Sequence, residues 1–345
     1  MVLSVPPPPD GFGAVRQLLK STGVGFLDGR GVNRVCRGRR GRSASSAWGR
    51  SAGRSQRDCM ASMCERKKAD CEAQDVMDSV CSLPHRVEVR SGDFPDLKDC
   101  DVLVNSAGHI QLLATGNKSR LEEMDFTIRA VNGYVDRVME SGFDGVVINV
   151  TNPCDVVAWR FAELSGLPRG RVFGTGTGLD TARLRSALAR QTGVDHKSIC
   201  AYVMGEHGAS QMVPWSAVSF GGKPLTEWEK TDERFRFDHE AIRKEARDAG
   251  WVVFSGKQCT EYGICSTAAR MASVVLLDEK QILPVATRLE GEYGESRIFI
   301  GVPAVVGAGG AEQVVEIPMS VEELAEFRRC CDDVRANMAH ALEVR

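Results

Sequence analysis

No apolar run in this sequence approaches the roughly 20 residues that a membrane helix needs. Neither sign of charge is in excess: 44 Lys and Arg stand against 46 Asp and Glu, a net charge of −2. No global field therefore draws the chain to nucleic acid or to an anionic membrane, and neither is expected as a partner. The start lacks the charged-then-apolar arrangement of a secretory signal. Twelve cysteines are present, but none form a C-x-x-C pair; Cys330 and Cys331 are adjacent and the others are scattered. That spacing argues against both a zinc site and a disulfide framework, so no metal is expected. Cys154, Cys200 and Cys265 sit among apolar residues and read as reduced core thiols of a cytoplasmic protein. There are no internal repeats.

A second shortage is local. From Gly31 to Arg57 there are eight arginines, no lysine and no acidic residue, and no apolar period of 2 or 3.6 survives. Beyond Cys64 the pattern becomes regular. Val102–Val104 reads as a short strand ending in Ser106-Ala107-Gly108. Leu121–Ser141 reads as a helix with apolar Leu121, Met124, Ile128, Val131, Val135 and Val138, stopped by Gly142. Val146–Val150 suits a buried parallel strand, and a helix follows Asn152-Pro153. Further on come a helix over Leu179–Gln191, a strand over Ile199–Met204 and a polar amphipathic stretch, Asp238–Ala249. A helix over Thr260–Leu277, strands around Ile298–Val306 and a terminal helix from Ser320 complete the chain. Strands alternating with helices imply an α/β fold: a Rossmann-type doubly wound parallel sheet, then an α+β part. The divisions expected are 1–30, of no assigned role, 31–168 for the doubly wound domain and 169–345 for the second.

Three segments carry candidate chemistry. Leu179-Asp180-Thr181-Ala182-Arg183 follows the glycine-rich Gly174–Gly178. Gly205-Glu206-His207-Gly208 follows a strand, and Thr151-Asn152-Pro153 ends one. Singly, each has a bland reading: a structural histidine, a solvated helix pair, a turn. In this order and spacing they resemble the L-lactate/malate dehydrogenase family, from about Glu65 to the C-terminus. The resemblance implies an NAD-dependent oxidoreductase of the L-lactate dehydrogenase type, acting on a small 2-hydroxy or 2-oxo acid and assembled as a homodimer or homotetramer.

It also implies roles. His207 is the acid/base, and Asp180 fixes its tautomer and favours its protonated ring. Arg183 binds the substrate carboxylate with its two-pronged donor set. Asn152 lies beside the reacting carbon, on the cofactor and substrate side, with a cis bond to Pro153. Gly108 borders the cofactor, Thr260 lines the substrate pocket, and Arg120 is the mobile-loop arginine that polarises the carbonyl. The loop Gly108 to Arg120 runs thirteen residues inclusive, longer than in the lactate enzymes and similar to the L-2-hydroxyisocaproate branch. Its Leu112 and Leu113 could cap a bulky side chain. Malate needs a second cation there, and Lys118 is badly placed beside Arg120, which favours lactate-like or larger apolar substrates over malate. Cys200 stands where bacterial lactate enzymes carry the histidine of a sugar-bisphosphate site, with Arg185 matching its partner, so that regulation is not expected.

The start departs from the family. A strand, a G-x-G-x-x-G turn and a helix should hold the NAD pyrophosphate, with an acid for the ribose further on. The expected Gly-rich loop is absent, and alignment through Lys67-Lys68-Ala69-Asp70 puts the expected acid near Met63. A transit peptide would need an intact nucleotide fold downstream, and only half of one follows. A nucleic-acid arm rests on arginines without aromatics, which is non-specific. The third reading is a double frame shift garbling about residues 31–63. Read from each third codon base, with CGN arginines, the Arg37/Gly38 to Ser43/Ala44 junctions allow Gly-Ala-Ala-Gly-x-x-Gly, a variant malate dehydrogenases use. The Ser62/Met63 junction allows Asp. Sequencing the transcript across codons 25–66 is expected to restore that loop; a transcript matching the arginine-rich text leaves a non-catalytic remnant of the family as the better reading.

Overall fold

The computed structural model describes residues 32–37, 57–63, 66–82, 87–108, 120–257 and 259–344. It opens with β1 (Val32–Arg37), β2 (Arg57–Met63), α1 (Arg66–Ser79) and β3 (Val87–Ser91). Then follow β4 (Val102–Asn105), α2 (Arg120–Glu140), β5 (Val146–Asn149), α3 (Cys154–Ser165), β6 (Val172–Gly174) and α4 (Gly178–Thr192). The second half holds β7 (Ile199–Cys200), β8 (Ser219–Phe220), β9 (Lys223–Pro224), α5 (Leu225–Glu229), α6 (His239–Lys257) and α7 (Tyr262–Leu277). It closes with β10 (Gln281–Glu290), β11 (Ser296–Gly307), β12 (Gly310–Val314) and α8 (Val321–Glu343).

Nine of these strands form one sheet, in the order β12-β11-β10-β6-β5-β4-β1-β2-β3. β4, β5 and β6 run parallel, as do β2 and β3. Both faces are covered, which is what near-continuous apolar strands require. Val102, Val104, Val146 and Ile148 pack under Ala268, Met271, Ala272 and Val275 of α7. Leu103 and Val147 point the other way, toward Met124, Ile128, Val131 and Val135 of α2 and Val157 and Phe161 of α3. The α2 residues recur at helical spacing because only that period keeps one stripe on the sheet, and Gly142, at φ 83, follows its end. Ser320 caps α8 through a reciprocal pair with Glu323.

The doubly wound α/β expectation is met, with four differences in detail. β1 pairs antiparallel with both β2 and β4, so the sheet is not parallel throughout. Asn33 lies level with Asn105, and Cys36 with Val102, so the chain leaves β1 at the edge opposite the carboxyl ends of β4–β6. Val32–Arg37 is also half polar, unlike a strand covered on both faces. The strand expected over Ile199–Met204 shrinks to β7, because α4 takes backbone groups of Ala201 and Val203 while Met204 pairs with Met212. Thr181 Oγ1 accepts the Val203 N–H at 2.9 Å, and Arg185 Nε donates to the Ala201 carbonyl at 3.1 Å. Third, β10–β12 extend the sheet of β4–β6 through an Ala286–Gly174 pairing. The amphipathic stretch expected to end at Ala249 continues as α6 to Lys257.

Gly170 closes β12 against the entry to β6. It has φ +83, and a Cβ there would lie 2.3 Å from the Ala311 carbonyl oxygen. Gly170→Ala is expected to cost at least about 1–2 kcal/mol, seen as a lower thermal unfolding midpoint. An unchanged midpoint would mean that β12 gives way freely.

Candidate active site

Parallel strands present their loops at one edge, and β4, β5 and β6 deliver three loops there. β4 leads into Ser106-Ala107-Gly108, β5 into Thr151-Asn152-Pro153, and β6 through Thr175 into α4. The first turn of α4 carries Asp180, with Arg183 one turn further. His207 comes from the second half, on a loop bracketed by the Met204–Met212 bridge and tied to β11 by Gly205–Gly301. Met204 and Met212 are buried with Phe327, Cys330 and Val334 of α8, which anchors both ends of that loop.

Asp180 joins the parts. Its side chain is 2 % exposed, and its two oxygens serve two partners. Oδ2 accepts from His207 Nδ1 at 2.6 Å, and Oδ1 from Arg183 Nη1 at 2.9 Å. Nδ1 is thereby committed to Asp180, which leaves Nε2 as the imidazole nitrogen available to a substrate. Burial opposes charge on both groups. For His207 the negative charge and hydrogen bond of Asp180, with the charge of Asp155, outweigh that and raise its proton affinity. For Asp180 burial would raise the pKa, but His207 and Arg183 together hold it low.

Asp155 was missed from sequence. Its Oδ2 accepts the His207 backbone N–H at 2.9 Å, while Oδ1 is buried with no hydrogen-bond partner. Burial pushes its carboxyl up to about 7, and Glu206 adds to the rise. The sole signal was an acid inside the apolar first turn of α3.

The other expected residues are placed less completely. Asn152–Pro153 is cis, as expected. Thr260 is half-buried just before α7, whose Gly263 packs on Leu179, next to Asp180. Arg120 opens α2, but its side chain and the loop 109–119, with Leu112, Leu113 and Lys118, lie outside the described residues. Cys200 is exposed, not a core thiol as expected. Among the described residues no cluster of His, Cys, Asp or Glu could hold a metal ion, and no helix is long and apolar enough to cross a membrane.

A dinucleotide fits this edge in part. A Cβ on Gly108 would stand 3.1 Å from Thr151 Cγ2, so glycine lets the β4 and β5 loops close up. Residues 38–56, which follow β1, lie outside the described residues, and among the described ones no glycine-rich turn leads from β1 into a helix at this edge. The pyrophosphate half is therefore not met by them.

Residues 56–174 match the model of the lactate/malate dehydrogenase NAD-binding domain, and residues 177–344 that of the family's alpha/beta C-terminal domain. The chain belongs to the lactate/malate dehydrogenase family. L-lactate dehydrogenase 1 of Bifidobacterium longum subsp. longum is 42% identical over 275 residues, covering 79% of this chain and 86% of its own. An L-lactate dehydrogenase of Fusobacterium nucleatum subsp. nucleatum is 38% identical over 267 residues, covering 77% and 83%. A lactate dehydrogenase from a Medee basin deep-sea metagenome library superposes with a TM-score of 0.79 at 30% identity, covering 82% of this chain and 90% of that one. The minor L-lactate dehydrogenase of Enterococcus mundtii, in its ligands-bound form, does so at 0.78 and 32%, covering 84% and 90%. The match to the dehydrogenase NAD-binding model begins at residue 56, which leaves the arginine-rich stretch almost wholly outside it.

The ion pair ties stability to pH from both sides. His207 binds its proton more tightly when folded, so its share is complete below its ordinary value and fades as pH rises through the raised one. Asp180, held low, contributes above its ordinary value and loses its share on acidification through the lowered one. Asp180→Asn is expected to lower the His207 pKa, read from its ring resonances in an NMR titration. An unmoved titration would show that the carboxylate does not set the charge of the ring.

Proposed function

We propose that this chain is an NAD-dependent L-2-hydroxy-acid dehydrogenase, interconverting an L-2-hydroxy acid and its 2-oxo acid. The observation that carries the reading is the Asp180 carboxylate shared by His207 and Arg183, beside the cis Asn152–Pro153 loop. Bound NAD supplies or removes the hydride at C2. The remaining work falls to the chain. Arg183 takes the substrate carboxylate, trading part of its bond to Asp180 for a charge-assisted pair. His207 Nε2 gives a proton to the carbonyl oxygen in reduction and takes one from the hydroxyl in oxidation. Asp180 keeps the ring in one tautomer and stabilises its charged form. Asn152 borders the reacting carbon and Gly108 the cofactor. Thr260 lines the pocket, and Arg120 polarises the carbonyl when its loop covers the site.

The long Gly108–Arg120 segment with Leu112 and Leu113 supports a lactate-like or larger apolar side chain rather than malate. The family's habit supports a homodimer or homotetramer, and the scattered cysteines support the cytoplasm, with no nucleic-acid or membrane partner.

A second reading has one observation in its favour. β1 runs against its neighbours and directs the chain away from the cofactor edge, as in a remnant that keeps the substrate half but cannot hold NAD.

The purified chain should enhance NADH fluorescence saturably and reduce 2-oxo acids of increasing side-chain size. Arg183→Lys is expected to lower kcat/KM by about 10-fold or more, since one ammonium cannot replace the planar fork. Absence of saturable NADH binding at millimolar cofactor would sink the dehydrogenase reading in favour of the remnant.

A further inference from the structure

Asn105 and Asn149 lie opposite each other at the carboxyl ends of β4 and β5, and both are wholly buried at 0% exposure. Buried parallel strands ordinarily carry apolar residues at such places. Two amides here must be satisfied or they cost stability, and their partners form a chain. Asn105 Nδ2 donates to Asn149 Oδ1 at 2.9 Å. Asn105 Oδ1 accepts from Tyr134 Oη of α2 at 2.8 Å and from the Ala107 N–H at 3.3 Å. Asn149 Nδ2 donates to the Thr151 carbonyl at 2.9 Å and the Cys154 carbonyl at 3.1 Å. Asn149 Oδ1 also accepts the Thr151 N–H at 3.3 Å.

The chain reaches further on either side. Thr151 Oγ1 donates to the Asn105 carbonyl at 3.4 Å, and Thr175 Oγ1 to the Asn149 carbonyl at 3.4 Å. The Cys154 thiol accepts the Gly176 N–H at 3.3 Å, and burial pushes that thiol up to about 12, so it stays neutral. One pair of amides therefore grips the residue before Gly108, the residue before Asn152, and, through Cys154, the turn that launches α4 with Asp180 and Arg183. A core built only to fill space would need none of these backbone bonds.

We propose that Asn105 and Asn149 are positioning residues for the reaction. They form a buried polar floor that sets Gly108, Asn152 and the α4 turn relative to one another. Neither amide touches substrate; both act through the loops they hold. The kinetic part of this proposal rests on the dehydrogenase reading, whereas the placement of the loops does not.

The test uses Asn149→Val alone and the pair Asn105→Val with Asn149→Val, in the full chain. The single change strands the Asn105 amide in an apolar setting and should lower the thermal midpoint. The double change is made together with Tyr134→Phe, so that the hydroxyl donating to Asn105 is not stranded in turn. It removes both buried amides and should recover part of that midpoint. Two readouts should not recover with it. Reduction of a 2-oxo acid should stay at least about 10-fold below the unsubstituted chain in kcat/KM, because misplaced reacting groups lose rate steeply. Backbone amide hydrogen exchange at Ala107 and Thr151 should stay at least about 10-fold faster. If the double variant regains midpoint, kcat/KM and slow exchange together, the amides only fill space and the proposal is overturned. If the unsubstituted chain turns over no oxo acid, the dehydrogenase reading fails, and the exchange rates alone still decide the role of the floor.

Discussion

A carboxylate that cannot be left unpaired organises this molecule. Asp180 is buried, and an isolated charge there would be expelled or neutralised. Its two oxygens meet His207 from the second half of the chain and Arg183 from its own helix. Those contacts hold α4 at the edge of the sheet, fix which imidazole nitrogen faces outward, and orient the Arg183 guanidinium. Removing either partner would leave the charge half-answered in a poorly solvated place, which is why fold and site cannot be separated at this point.

Around that carboxylate the structure commits backbone and side chains to holding loops still. Met204 and Met212 pin the histidine loop to a core shared with α8, Asp155 takes the His207 amide, and Asn105 with Asn149 underlies the exits of β4 and β5. Against this order the start of the sheet stands out. β1 occupies the slot between β2 and β4 but runs opposite to both, and it is half polar where a covered strand should be apolar. The family match begins only near β2. The local conflict between composition and position marks the segment where sequence and fold disagree.

Much of this was legible in the chain. The stripe Met124, Ile128, Val131, Val135 and Val138 specified a helix over nearly its full length, because a 3.6 period has no other use. The continuous apolar runs of β4 and β5 specified strands covered on both sides. His207, Asp180, Arg183 and Asn152 were picked out through the resemblance of their order and spacing to the dehydrogenase family. The structure brings Asp180, His207 and Arg183 into contact. Less local features were not legible. The stretch after Cys200 looked like strand and was taken by the side chains of α4 instead. Asp155 looked like one more acid at a helix start, and its link to His207 joins residues 52 positions apart. The joining of β10 to β6 is likewise a matter of register between distant segments.

The sequence by itself determined the alternating elements, the apolar faces that must be covered, and the residue types able to bind a carboxylate and move a proton. These follow from short-range periodicity and from side-chain chemistry, which need no partner to be recognised. Only the tertiary structure decided that Asp180 is shared between His207 and Arg183, that the amides of Asn105 and Asn149 meet beneath the loops, and that β1 runs against its neighbours. Each of these depends on which distant backbone lies alongside. That is settled by burial and pairing over the whole sheet, and no local pattern encodes it.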